Sequence, residues 1–150
     1  MNKPLNETLS RELGDSVASK PKTPFENAYR AALATKGAMY VQGFLVIVGK
    51  SEEPIEHAWI ELDEQTVDPT LPHLNRDSQK LCYFTAQRLS IKQLKAAVEE
   101  AKEDYPEDNP LPIYGAAPYE YYGDVMLGGM DYLEAYEAAR TKCRESLERP

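Results

Sequence analysis

Hydrophobic positions along the chain fall into blocks of two different periods. Phe25, Ala28, Tyr29, Ala32 and Leu33 recur at helical spacing, behind Thr23-Pro24 and ahead of Gly37. Thr23 followed by Glu26 has the form of a capping box, proline suits the first helical position and glycine suits the stop, so the pattern predicts a helix over 24–36. "MYVQGFLVIVGK" comes next, a nearly continuous apolar run rich in β-branched and aromatic residues that predicts a largely buried strand. "IEHAWIEL" and "QTVDPT" read as two further strands joined at Asp63-Glu64. If that two-residue turn sets the register, Leu62 pairs with Gln65, Trp59 lies opposite Asp68 and His57 opposite Thr70. A period of two then places His57, Trp59 and Glu61 on one face of the sheet and Ala58, Ile60 and Leu62 on the other, with Asp68 diagonal to His57.

Further along, "KLCYFTAQRL" predicts another strand. "SIKQLKAAVEEAKEDY" predicts a helix with a Ser90-x-x-Gln93 capping box and apolar positions Ile91, Leu94, Val98 and Ala101. Residues 106–124 are broken by Pro106, Pro110, Pro112 and Pro118 and read as irregular. A last amphipathic helix is expected from Asp131 to Leu147, with Leu133, Tyr136, Ala139, Cys143 and Leu147 as its inner stripe. Residues 1–20 are polar without a sustained period and read as a flexible, loosely held tail with room for a short helix. The expected organisation is that tail followed by a single α+β domain over 21–150, an antiparallel sheet packed against the N-terminal helix and two C-terminal helices.

Composition narrows the function classes. A chain of 150 residues, 42% hydrophobic and 28% charged, is long enough to bury a core of ordinary globular type. No apolar run approaches the roughly 20 residues of a membrane span, and the N-terminus lacks the apolar core of a secretory signal. Cys82 and Cys143 are too few for a disulfide framework, which points to a reducing cytoplasm. The net charge of −8 argues against direct binding to a nucleic-acid backbone. It fits simple solubility, or an acidic surface that competes with nucleic acid for a basic protein; the acids are dispersed along helices and loops, which favours solubility.

The candidate chemistry lies in the paired strands. "YVQGF" followed by "EHAWIEL" and then "VDPT" resembles the core of the papain-like, transglutaminase-like thiol enzymes, nearest to small uncharacterised bacterial and phage proteins with Glu-His-Ala-Trp and Asp-Pro-Thr motifs. The resemblance covers residues 22–70. It implies a papain-like or transglutaminase-like fold in which His57 takes the general-base position and Asp68 orients it, with a cysteine nucleophile at the start of the preceding helix. Such a thiolate is favoured by a helix N-terminus and a neighbouring imidazolium, and a carboxylate fixes the imidazole tautomer. In this chain the nucleophile position falls on Pro24, within "PFENA", and proline has no nucleophilic atom. Cys82 is the first alternative nucleophile and Cys143 the second, although buried cysteines commonly serve only packing. Thr23 carries a hydroxyl, but one expected to be engaged as the helix cap.

Read without a nucleophile, His57 and Asp68 form a satisfied structural pair. A metal reading through His57, Asp68, His73 and Asp77 lacks the spacing of a zinc site, so neither a metal nor another cofactor is expected. The tyrosines at 114, 119, 121, 122, 132 and 136 form the other uneven feature; Tyr121 and Tyr122, beside Gly123, are candidate binding residues together with Trp59. Three functions follow in order: a catalytically inactive binding or interaction module with a protein partner, a thiol amidohydrolase or acyltransferase with a relocated cysteine, and an acidic decoy of a basic nucleic-acid-binding protein. No small-molecule ligand can be read from these residues.

Overall fold

In the computed structural model, residues 3–74, 77–111, 119–122 and 125–148 are described, with backbone alone at 119–122, 125–130 and 148. The chain is α+β. Helices α1 (Glu7–Ser16), α2 (Pro24–Ala34), α3 (Ile91–Asp104) and α4 (Gly129–Glu148) accompany strands β1 (Met39–Ile47), β2 (Ile55–Leu62), β3 (Gln65–Val67) and β4 (Leu81–Leu89), with a separate hairpin of β5 (Tyr119–Tyr122) and β6 (Val125–Gly128). The main sheet runs β3-β2-β1-β4, antiparallel throughout. Among the described residues no helix is long and apolar enough to cross a membrane.

β1 occupies the sheet interior because its run "MYVQGFLVI" is buried on both faces. One face presents Tyr40, Phe44 and Val46 of β1, Ala58 and Ile60 of β2 and Ala86 of β4. Those side chains meet Ala28, Ala31 and Ala32 of α2, Leu94 and Val98 of α3, and Ala135, Ala139 and Cys143 of α4. The opposite face presents Val41 and Leu45, Trp59, and Leu81 and Tyr83, packed with Leu71. Asp63 and Glu64 both adopt positive φ, 51° and 62°, as a type I′ turn requires, and this sets Leu62 opposite Gln65. The ladder continues only to Ile60–Val67, so the expected Trp59–Asp68 and His57–Thr70 pairings do not form as strand pairs. Beyond Val67 the chain turns at Asp68-Pro69-Thr70 into a 3₁₀ turn, Leu71–His73.

The N-terminal stretch differs most from the expected loose tail. Thr66 exchanges backbone hydrogen bonds with Pro4 and Asn6, which cover the outer edge of β3. α1 then lies against the Asp68–Thr70 segment with Ser10 and Gly14 buried. Leu9 and Leu13 of the same helix pack against the core, so the short helix for which the tail left room has an apolar stripe of leucines four residues apart beside its small polar contact positions. At Gly14 a Cβ would stand 2.6 Å from the Pro69 carbonyl, so glycine is what permits this approach.

Helix starts were mixed. The Ser90–Gln93 capping box is present in both directions. The Thr23–Glu26 box is not: Thr23 makes no side-chain cap, and its hydroxyl instead lies 3.1 Å from the Lys20 carbonyl and 3.2 Å from Asn27 Oδ1. The end of the region read as irregular holds β5, which forms a hairpin with β6 just beyond it, Tyr121 pairing with Met126 and Tyr122 with Val125.

Candidate functional site

β2 and the segment leaving β3 bring His57 and Asp68 together. Alternation along β2 turns His57 to the same face as Trp59, and the tight turn returns the chain alongside so that the imidazole and carboxylate meet. His57 Nε2 lies 2.8 Å from Asp68 Oδ2. Asp68 Oδ2 also accepts a 2.8 Å hydrogen bond from the Tyr83 hydroxyl, and Oδ1 accepts one of 2.9 Å from the Thr70 amide. The Asp68 amide in turn donates to Ser10 Oγ at 2.8 Å. An ionised carboxylate only accepts, so this geometry fixes the His57 proton on Nε2.

The pair is closed off from solvent. His57 is 2% exposed, Asp68 0% and Tyr83 5%. Trp59, also fully buried, stacks beside His57 with ring centroids 6.1 Å apart and meets Tyr83 edge-on at 5.0 Å. Among the described residues the Trp59 indole N–H has no hydrogen-bond partner. Burial, then the nearby Asp68 carboxylate and the hydrogen bond to it, push the Tyr83 hydroxyl well above the ordinary tyrosine range. The phenol therefore remains a donor to Asp68 at any physiological pH. Trp59, expected as a binding residue, is a core residue here and presents no surface to a partner.

The helix expected to carry the nucleophile connects to this network indirectly. Pro24 occupies the first helical position of α2, and the apolar stripe of α2 packs on the sheet face opposite His57. Asn27 makes the link: its Nδ2 donates to Thr70 Oγ1 at 3.0 Å and to the Lys20 carbonyl at 2.8 Å, while its Oδ1 accepts from the Lys20 amide. Asp68, Thr70 and Asn27 thus tie the loop after β3 to the first turn of α2. The alternative thiols lie elsewhere. Cys82 and Cys143 both join the cluster of Phe44, Val46 and α4, on the opposite sheet face from His57. Cys143 is fully buried, and burial followed by the charge of Glu53 raises its thiol above the usual value.

His73 turns away from the pair, with its Nε2 2.8 Å from the Ser19 carbonyl. Among the described residues no group of three or more His, Cys, Asp or Glu side chains gathers as a metal site. The side chains of Tyr121 and Tyr122 lie outside the described residues, so only their place in β5 is seen. Tyr132 and Tyr136 pack edge-on against Phe44, with centroids 6.5 Å and 5.4 Å away.

Tyr83, Thr70, Asn27 and Ser10 complete a network of which the sequence announced only His57 and Asp68. The signal for Tyr83 was its period-two spacing from Leu81, which puts both on one face. The signal for Asn27 was an amide set in an alanine-rich apolar stripe. Searches of protein-family models, of curated proteins and of solved structures find no match to this chain.

Proposed function

We propose that this protein is a non-catalytic interaction module, a transglutaminase-like chain whose base and orienting residues persist as a structural cross-link. The observation that carries this reading is the closure of the His57–Asp68 pair, 2% and 0% exposed, with Tyr83 and the Thr70 amide occupying the carboxylate. A general base must reach the proton it removes, directly or through one water. An imidazole packed under Trp59 and bonded to an already shared carboxylate instead holds the loop after β3 in place. Pro24 at the head of α2 supports the same reading, since it offers no thiol where the resemblance calls for one.

The experiment is the pH dependence of iodoacetamide alkylation at Cys82 and Cys143, in the native protein and in His57→Gln. The reading expects both thiols to react no more readily than a free cysteine of pKa about 8.5, with Cys143 the slower, and no change in the variant. A cysteine that reacts rapidly near pH 6 and loses that advantage without His57 would establish the relocated-nucleophile enzyme instead.

A further inference from the structure

Residues 3–16 form an arm that meets the rest of the molecule through contacts far apart in sequence. The Thr66 amide donates to the Pro4 carbonyl at 2.8 Å and the Asn6 amide donates to the Thr66 carbonyl at 2.9 Å, so the arm adds a short parallel bridge along the outer side of β3. Lys3 Nζ lies 3.1 Å from the buried carboxylate of Glu61, and Leu5 packs against the cluster that holds Trp59 and Leu71. From α1, Ser10 Oγ accepts the Asp68 amide, and Leu9 and Leu13 meet the core. The outer side of β3 and the loop after it are thus shaped for one particular segment, and every copy of the chain carries that segment.

The connection from this arm to α2, Val17–Thr23, reverses the chain without the residues that favour a reversal. α1 ends with the Ala18 amide bonded to the Asp15 carbonyl and the Ser19 amide bonded to the Gly14 carbonyl, a closure that holds Ala18 in the left-handed region at φ 53°. Lys22 follows at φ 65°. Glycine takes such values freely, whereas a side chain there crowds the backbone, and this connection contains no glycine. Pro21 and Pro24 bias the residues before them, Lys20 and Thr23, toward extended backbone, so the connection tends to run on and not to double back. Asn27 holds the reversal shut by bonding both the amide and the carbonyl of Lys20. A short connection closed under strain favours the exchange of a segment between copies.

We propose that residues 3–16 are an exchangeable arm, and that the outer side of β3 with the Asp68–Thr70 loop is a docking surface for the arm of a second copy. In the exchanged dimer each arm contact named above is made again between chains, in both directions about a two-fold axis. Opening the connection releases Ala18 and Lys22 from left-handed backbone. Against this stand the two Lys20–Asn27 bonds and the freedom lost on association, which make exchange dependent on protein concentration. Exchange goes beyond the interaction-module reading and holds independently of it, because the arm makes the same contacts whichever copy supplies it.

The test uses two full-length variants in a Cys82→Ala/Cys143→Ala background, one with Leu5→Cys and the other with Thr66→Cys, the two positions joined by the bridge on β3. The variants are mixed at millimolar concentration, held just below the unfolding temperature and then oxidised. A disulfide between the two requires the arm of one chain on the β3 edge of the other. The expected result is a covalent mixed dimer that grows with the concentration of the incubation and exceeds the dimer formed by either variant alone. Adding Ala18→Gly and Lys22→Gly relaxes the closed connection and should lower the mixed dimer by about tenfold or more. Deleting Pro21 and Lys22 from the otherwise native chain leaves the connection too short to turn back, and light scattering should then show a dimer even in dilute solution. If that shortened chain does not fold, the cross-link made with the native connection decides the matter alone. A mixed dimer no more abundant than the same-variant dimers would mean random collision of thiols and overturn the proposal. So would a dimer that cannot be linked through positions 5 and 66, which would place the interface elsewhere, or a chain that stays monomeric at millimolar concentration. A mixed dimer undiminished by the two glycines would remove the strained connection as its cause and overturn the proposal as well.

Discussion

Removing the Tyr83 hydroxyl leaves Asp68 Oδ2 with His57 alone, in a place water does not reach. Tyr83→Phe is therefore expected to lower stability by about 1–2 kcal/mol, seen as a lower denaturant midpoint with unchanged slope. His57→Gln should cost about 2 kcal/mol or more for the same reason, since it disturbs a bond to a buried carboxylate. Tyr83 also sets a pH limit. Its folded pKa is raised, so the native state keeps a proton that the unfolded chain has lost; this contribution is complete below the ordinary value of about 10 and is lost as pH rises from there toward the folded value. Tyr40, raised by burial and then by Tyr132 and Glu26, acts with the same sign. The native denaturant midpoint should therefore fall above about pH 10, and fall less in the Tyr40→Phe/Tyr83→Phe double variant. His57 and Asp68 were legible at this scale because one tight turn and a period of two place them together. Tyr83 reaches the pair from β4, and nothing local to residues 80–89 states which strand β4 will join.

At the scale of elements, the polar N-terminal segment acts as a clasp over the loop that presents Asp68. Gly14→Ala must push α1 away from Pro69 and is expected to cost about 1–3 kcal/mol, with faster hydrogen exchange at the Thr66 amide as the separate sign that the edge of β3 has opened. The two helix starts should respond differently to the same kind of change. Ser90→Ala removes a formed cap and should cost about 1 kcal/mol, while Thr23→Ala removes no cap and should cost less. Both positions look alike in sequence, Thr-x-x-Glu and Ser-x-x-Gln, and the difference arises because Asn27 reaches back to Lys20 and engages the Thr23 hydroxyl. α2, α3, α4 and the four sheet strands were visible from period and breakers. α1 was only allowed for, as a short helix in a loose tail, because its leucines at 9 and 13 sit among polar residues and its closest contacts are through serine and glycine; the β5–β6 hairpin was not visible, since its strands are only four residues each.

Across the whole molecule, the sheet divides two environments. One face holds the alanine-rich contacts with α2, α3 and α4 and both cysteines; the other holds the buried polar network beneath α1 and the 3₁₀ turn. This partition could not be read from the strands singly, because the side on which Cys82 emerges depends on the β1–β4 register and its bulge. It is also what separates the thiols from the imidazole, and so carries the view that the histidine is structural. The most direct test is the imidazole of His57 itself, observed by NMR through its ring nitrogens. A sealed structural pair predicts a proton on Nε2 that exchanges slowly with solvent and persists in slow exchange across neutral pH. A ring proton that exchanges rapidly, or that sits on Nδ1 with Nε2 free, would mean an accessible imidazole and would contradict the account.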